Sequence, residues 1–357
     1  MTTVLQAEQE RGELTTVRAD RNQIVRLHNL TKKFPARRSW RELLTRPFAR
    51  PALHTVVENV SLDVNEGELF GLLGANGAGK TTLFRMLASH LVPDSGRVTV
   101  AGLDTVEDRQ QVRRTLVSVG TDERTLYWRL TARENMELFA SLYRVPAKEQ
   151  NDRISRVLET MELAGTGAKQ VGSFSSGMKQ RLLIGRALLA RPRILLLDEP
   201  TRSLDPLSAR SLRRHLREEV VEGLGCTVLL ATHNAEEAFE LCDRVAILER
   251  GRLIAAGRVR DLMGEVSEDR YHVGVRASQT TMALKLLGSS AEIIPGQEDV
   301  AGWGTITTCI PGGLDGAADV MGMLARAGID VSHFRRMELS LAQLIERVVE
   351  RGTRGAA

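Results

Sequence analysis

The sequence has few cysteines, no long apolar run and no leader-like beginning. Its three cysteines, Cys226, Cys242 and Cys309, are an odd number without metal-ligand or redox spacing. That excludes a disulfide scaffold and fits a reducing, cytoplasmic setting. Runs such as Ile194–Leu197 fall far short of the roughly 20 apolar residues that cross a bilayer. Residues 1–22 are polar and charged with no apolar core region, so 1–23 reads as a flexible tail and not as a signal peptide. Neither an internal repeat nor a low-complexity tract is present. A net charge of +4 over 357 residues gives no argument for nucleic acid as a partner.

The chain is long enough for two domains, and 42% hydrophobic with 26% charged residues is ordinary for a soluble globular protein. Its basic excess is local. "TKKFPARRSWRELLTRPFAR" holds Lys32, Lys33, Arg37, Arg38, Arg41, Arg46 and Arg50 against Glu42 alone. This insertion, about residues 35–53, reads either as a solvated surface segment or as a contact for anionic headgroups or a membrane partner's cytoplasmic face.

From Ile24 to about Met263, glycine turns, short apolar strands and helical periods alternate, which predicts a mostly parallel sheet covered by helices. "GELFGLLG", "RILLLDEP" and "TVLLATHN" are apolar runs that end in polar residues. Strands buried on both faces read this way, and ligands bind beyond their carboxyl ends. After residue 268 the pattern becomes βαββαβ, the order of a small ferredoxin-like α+β domain over 268–352. A closing helix carries Ser340 and Gln343 at capping-box spacing, with Leu341, Leu344, Ile345 and Val348 on one face.

"GANGAGKTT" fits G-x-x-x-x-G-K-[ST] between a predicted strand and helix, the context this phosphate loop requires. Gly74, Gly77 and Gly79 let the backbone through Ala75, Asn76 and Ala78 curl and turn N–H groups toward phosphate oxygens. Lys80 can reach the β- and γ-phosphates, and the hydroxyl of Thr81, ahead of Thr82, can ligate Mg2+. In "ILLLDEP", Asp198 would hold the metal and Glu199 polarise the attacking water. His233 ends another apolar strand, where it can sense the γ-phosphate. "FSSGM" offers a second phosphate gripper: the Ser175 hydroxyl can cap a helix beginning near Met178, and Gly177 allows close approach.

Taken in order, these residues resemble the ATP-binding cassette (ABC) ATPases. Gly74–Thr82 match the Walker A loop, Ile194–Glu199 the Walker B strand with its catalytic glutamate, and His233 the switch histidine. Ser203, Leu204 and Asp205 match the D-loop, and "FSSGM" occupies the signature slot with Phe174, Ser176 and Met178 replacing the usual residues. The resemblance implies a P-loop NTPase cassette with a mostly parallel sheet plus antiparallel and helical subdomains. It also implies that Ser175 and Gly177 grip the ATP of an opposing subunit, so a homodimer would build two composite sites. Asp122 falls in the slot of a Mg2+-ligating glutamine, with Glu123 the choice if the register shifts by one, and Phe34 falls where the family stacks an aromatic on adenine. The implied function is ATP hydrolysis driving a separate transmembrane permease from the cytoplasmic face, as in drug and antibiotic exporters. An importer subunit and a soluble, non-transporting ATPase are the alternatives.

Overall fold

The computed structural model describes residues 22–36, 52–120, 125–266, 270–288, 290–294, 302–310 and 313–336. The expectations for the amino-terminal tail, most of the basic insertion, Asp122, Glu123 and the closing helix lie outside these residues. By internal packing the chain divides into two units, Met1–Val259 and Arg260–Ala357.

The first unit opens with β1 (Gln23–Pro35) and β2 (Leu53–Asn65), a long antiparallel pair. After them come β3 (Leu69–Gly74), α1 (Lys80–Leu87), β4 (Ser95–Val100) and β5 (Leu103–Asp104). The order β2-β1-β4-β5 makes an antiparallel sheet of four strands. Next follow α2 (Arg109–Thr115), β6 (Leu116–Val119) and three helices, α3 (Ala132–Leu142), α4 (Ala147–Thr160) and α5 (Ser176–Leu188). Thr131 starts α3 with a full capping box: its hydroxyl oxygen accepts from Glu134 N–H, and the Glu134 carboxylate accepts from Thr131 N–H at 2.7 Å. Such a cap stabilises by about 1 kcal/mol.

The chain then returns to the sheet through β7 (Ile194–Asp198), α6 (Pro206–His215), β8 (Thr227–Thr232), α7 (Ala235–Leu241), β9 (Arg244–Glu249) and β10 (Arg252–Arg258). The second sheet runs β10-β9-β3-β8-β7-β6. Its strands are parallel except β10, which pairs antiparallel at the edge. Every residue of β3 and β8 is buried, which is why both are built around apolar runs, with buried Thr227 and Thr232 at the ends of β8. Leu72, Met86, Leu196 and Leu229 join one core between the sheets and α1; each such side chain, fully buried, contributes about 1.5–3 kcal/mol. Burial pushes the Cys226 thiol up to about 12 and raises Cys242 as well, which leaves both thiols inert.

Helix α8 (Val259–Val266) precedes a third sheet, which is antiparallel throughout. In this unit β11 (Arg270–Arg276), α9 (Thr280–Leu287), β12 (Glu292–Ile293), β13 (Trp303–Cys309), α10 (Gly313–Arg326) and β14 (Val331–Arg336) follow one another. The sheet order β12-β13-β11-β14 is the split βαβ arrangement of ferredoxin-like folds. Tyr271, Val273, Val275, Ile306 and Leu324 form its core.

Candidate active site

Strand β3 delivers the chain to a tight loop at 75–79, and α1 starts at Lys80. Gly77 and Gly79 sit at φ 83° and 104°, a region that residues with a Cβ avoid. A Cβ on Gly79 would also lie 2.8 Å from the Val56 carbonyl oxygen. The glycine is therefore required twice, by dihedral and by space. Gly79→Ala should weaken ATP binding at least about tenfold and lower the unfolding free energy by about 1–2 kcal/mol; nucleotide titration and a thermal melt measure both.

Lys80 is almost wholly buried. Its Nζ donates to Gly74 O at 2.6 Å and to Ala75 O at 3.3 Å, and stands 3.4 Å from Glu199 Oε1. The Thr81 hydroxyl donates to Asp198 Oδ2 at 2.8 Å. A pocket of about 230 Å³ is lined by Val56, loop residues 75–79, Lys80, Thr81, Thr82, Asp198, Glu199 and Arg202.

Glu199 follows β7 at φ 51°, strained for a residue with a side chain, and its N–H donates to Ala231 O at 2.8 Å. Its Oε2 lies 2.6 Å from His233 Nδ1. Its Oε1 is buried without a hydrogen-bond partner. Adjacent parallel strands β3, β7 and β8 all end here, so residues more than a hundred positions apart converge.

The other predicted residues lie elsewhere. Ser175 caps α5, accepting from Met178 N–H at 3.3 Å, so this helix begins at Ser176, two residues earlier than expected. A capping hydroxyl satisfies the third N–H of its helix, which fixes the start directly after the serine. Asp205 caps α6 from Ser208 N–H at 3.0 Å, and the Ser208 hydrogen bonds hold its carboxyl below the usual range. A Cβ on Gly177 would meet the Ser208 side chain at 3.3 Å, so the starts of α5 and α6 touch. Phe34 is half-buried in β1 with Lys32 Nζ 5.6 Å from its ring centre. None of these four lines the phosphate-loop pocket.

Sequence reasoning missed Glu237, a buried carboxylate that accepts from the Thr201 and Thr232 hydroxyls. The one signal was Asn234 three residues before it, the spacing of a helix cap.

Residues 57–202 match the ABC transporter family. Daunorubicin resistance ATP-binding protein DrrA3 of Streptomyces coeruleorubidus is 40% identical over 232 residues, 65% of this chain and 72% of that protein. This chain belongs to the ABC transporter family. Methionine import ATP-binding protein MetN of Geobacillus kaustophilus is 38% identical over 208 residues, which are 57% of this ABC protein and 60% of the relative. Among solved structures, the dimeric ATP-binding cassette MJ0796 bound to ADP and Pi aligns with a TM-score of 0.55 and 26% identity, over 66% of this chain and 99% of that one. The ABC protein is thus an ATPase.

Proposed function

We propose that the chain is the ATP-hydrolysing subunit of an exporter, closing as a homodimer over two ATP molecules and driving a separate permease. The observation that carries the hydrolytic part is the state of Glu199. One carboxylate oxygen is held by His233, and the other is buried with no hydrogen bond beside Lys80. That second oxygen suits a water molecule in line with a γ-phosphate gripped by Lys80. Glu199 takes the water proton as the new bond to phosphorus forms and the bond to the ADP oxygen breaks, releasing inorganic phosphate.

The Thr81 hydroxyl and Asp198 carboxylate, 2.8 Å apart, are a hard-oxygen pair that fits Mg2+. When bound there, the ion supplies charge neutralisation on the β- and γ-phosphate oxygens. Ser175 and Gly177 lie away from their own chain's pocket, which supports a role on the nucleotide of a second copy. The Ser175 oxygen already accepts from Met178, which leaves its hydroxyl proton to give to a phosphate.

A protein partner is supported by an exposed aromatic surface at the start of the helical segment. Tyr127 and Trp128 are more than half exposed, as is Leu142 one helix length away. Tyr127, Phe139 and Tyr143 make a series of tilted ring contacts, successive centroids 6.3 Å apart, with the Arg186 guanidinium 4.4 Å from the Phe139 ring centre. Exposed aromatics on a rigid base are interface anchors. No helix among the described residues is long and apolar enough to cross a membrane, so a permease would be a separate chain or segment.

Export is favoured because the relative named for daunorubicin resistance matches more residues than the one named for methionine import. Import is the second reading, and purification from membranes separates the two by whether a solute-binding protein accompanies the chain together with a permease. A permease should copurify with it, and Tyr127→Ser with Trp128→Ser should weaken that association at least about tenfold while leaving ATP binding intact. Full retention of the permease by the double variant would remove this surface from the proposal.

A further inference from the structure

Glu237 stands in the first turn of α7 with 1% of its surface exposed. A carboxylate is costly to bury unless hydrogen bonds replace its water, so what holds it is informative. Its Oε1 accepts the Thr201 hydroxyl proton at 2.5 Å, and its Oε2 accepts that of Thr232 at 2.6 Å. Thr201 follows Glu199 by two residues, and Thr232 immediately precedes His233. The Thr232 oxygen in turn accepts from Asn234 N–H at 3.1 Å, and the Asn234 side chain accepts from Glu237 N–H at 3.2 Å. The turn that carries His233 is thereby closed on itself and bolted to the segment that carries Glu199.

The backbone leaves this task to side chains. Strands β7 and β8 pair as far as Asp198 and Ala231, and the Glu199 N–H adds one more bond, to Ala231 O. From there one segment heads for α6 and the other for α7. Glu199 meanwhile holds a left-handed backbone conformation, which persists only where its surroundings enforce it.

We propose that Glu237 is a positioning residue for ATP hydrolysis: by bridging Thr201 and Thr232 it holds the Glu199 and His233 turns at their 2.6 Å contact, without touching nucleotide. The proposal rests on the reading of Glu199 and His233 as the hydrolytic pair.

Steady-state kinetics and ATP titration of the full chain test it with Glu237→Ala, Thr201→Val, His233→Ala and the Glu237→Ala/His233→Ala double variant. Glu237→Ala should lower kcat by on the order of tenfold to a hundredfold, the scale of a small misplacement in an active site. ATP affinity should hold, because the phosphate loop is untouched. In the His233→Ala background the second substitution should cost nothing further, since the two residues act through one contact. Thr201→Val keeps the side-chain volume and removes one donor, so it should lower kcat in the same direction even if Glu237→Ala fails to fold. Glu237→Gln, which keeps one acceptor oxygen, should fall between Glu237→Ala and the unaltered chain. Wild-type kcat in both Glu237→Ala and Thr201→Val, or losses that multiply in the double variant, would overturn the positioning role. A His233→Ala chain with undiminished turnover would instead overturn the hydrolytic pair itself, so the two failures are distinguishable.

Discussion

Glu199→Gln should keep ATP binding and lower kcat by about a hundredfold to ten-thousandfold, the contribution of a positioned general base. The amide has nearly the carboxylate's shape and retains an oxygen toward Lys80, which stands 3.4 Å from Glu199 Oε1, so the pocket should keep its form. What it loses is the capacity to take a proton from water. With chemistry stalled after binding, the ATP-loaded dimer should accumulate, visible as a shift to twice the monomer mass in size-exclusion chromatography with ATP. Turnover at the wild-type rate would remove Glu199 from the chemistry. Dimer accumulation without slowed turnover would separate closure from hydrolysis. The same substitution replaces the oxygen that His233 Nδ1 meets at 2.6 Å with an uncharged group, so part of the loss is orientation and not basicity. Comparison with His233→Ala apportions the two.

Much of the candidate site's geometry was legible because its polar side chains sit at the ends of strands. A parallel strand buried on both faces must be apolar throughout, so the first polar residues after β3, β7 and β8 stood out as Gly74–Thr82, Asp198–Glu199 and His233. Once these strands are neighbours, their ends meet whatever the sequence distance. The glycines were legible for a different reason: Gly79 at φ 104° occupies a conformation that few residue types reach. Helix starts were read well by type and less well by position, as Ser175 shows. Glu237 was illegible because its carboxylate bridges threonines on two different strand ends, Thr201 after β7 and Thr232 at the end of β8. Sequence spacing reports its cap to Asn234, whereas its carboxylate reaches Thr201, 36 residues earlier. Phe34 illustrates the converse limit. It lies half-buried in β1, and local sequence does not separate a ring that covers the core from one that stacks on a flat ligand.

The proposed pairing of the phosphate loop of one chain with Ser175 of another has the most decisive consequence, because it predicts recovery of activity from two inactive chains. Lys80→Ala removes a charge-assisted phosphate contact of about 1.5–3 kcal/mol, enough to weaken ATP binding tenfold or more. Ser175→Arg puts a long side chain at the α5 start, where the proposed closure brings a partner's nucleotide, and so should stop that composite site from closing while leaving the chain's own pocket, which Ser175 does not line, able to bind ATP. Each variant alone should be inactive, since every dimer it forms has two damaged sites. In a mixed dimer both lesions fall on one composite site. The other combines the intact loop of the Ser175→Arg chain with the intact Ser175 of the Lys80→Ala chain. With random pairing, half the dimers are mixed and each keeps one of two sites, so hydrolysis should return to about a quarter of the wild-type level. Dimers of wild type with Lys80→Ala report whether a single intact site turns over by itself. If they do and the mixture of variants stays inactive although mixed dimers form, each chain completes its own site, and the homodimeric mechanism fails.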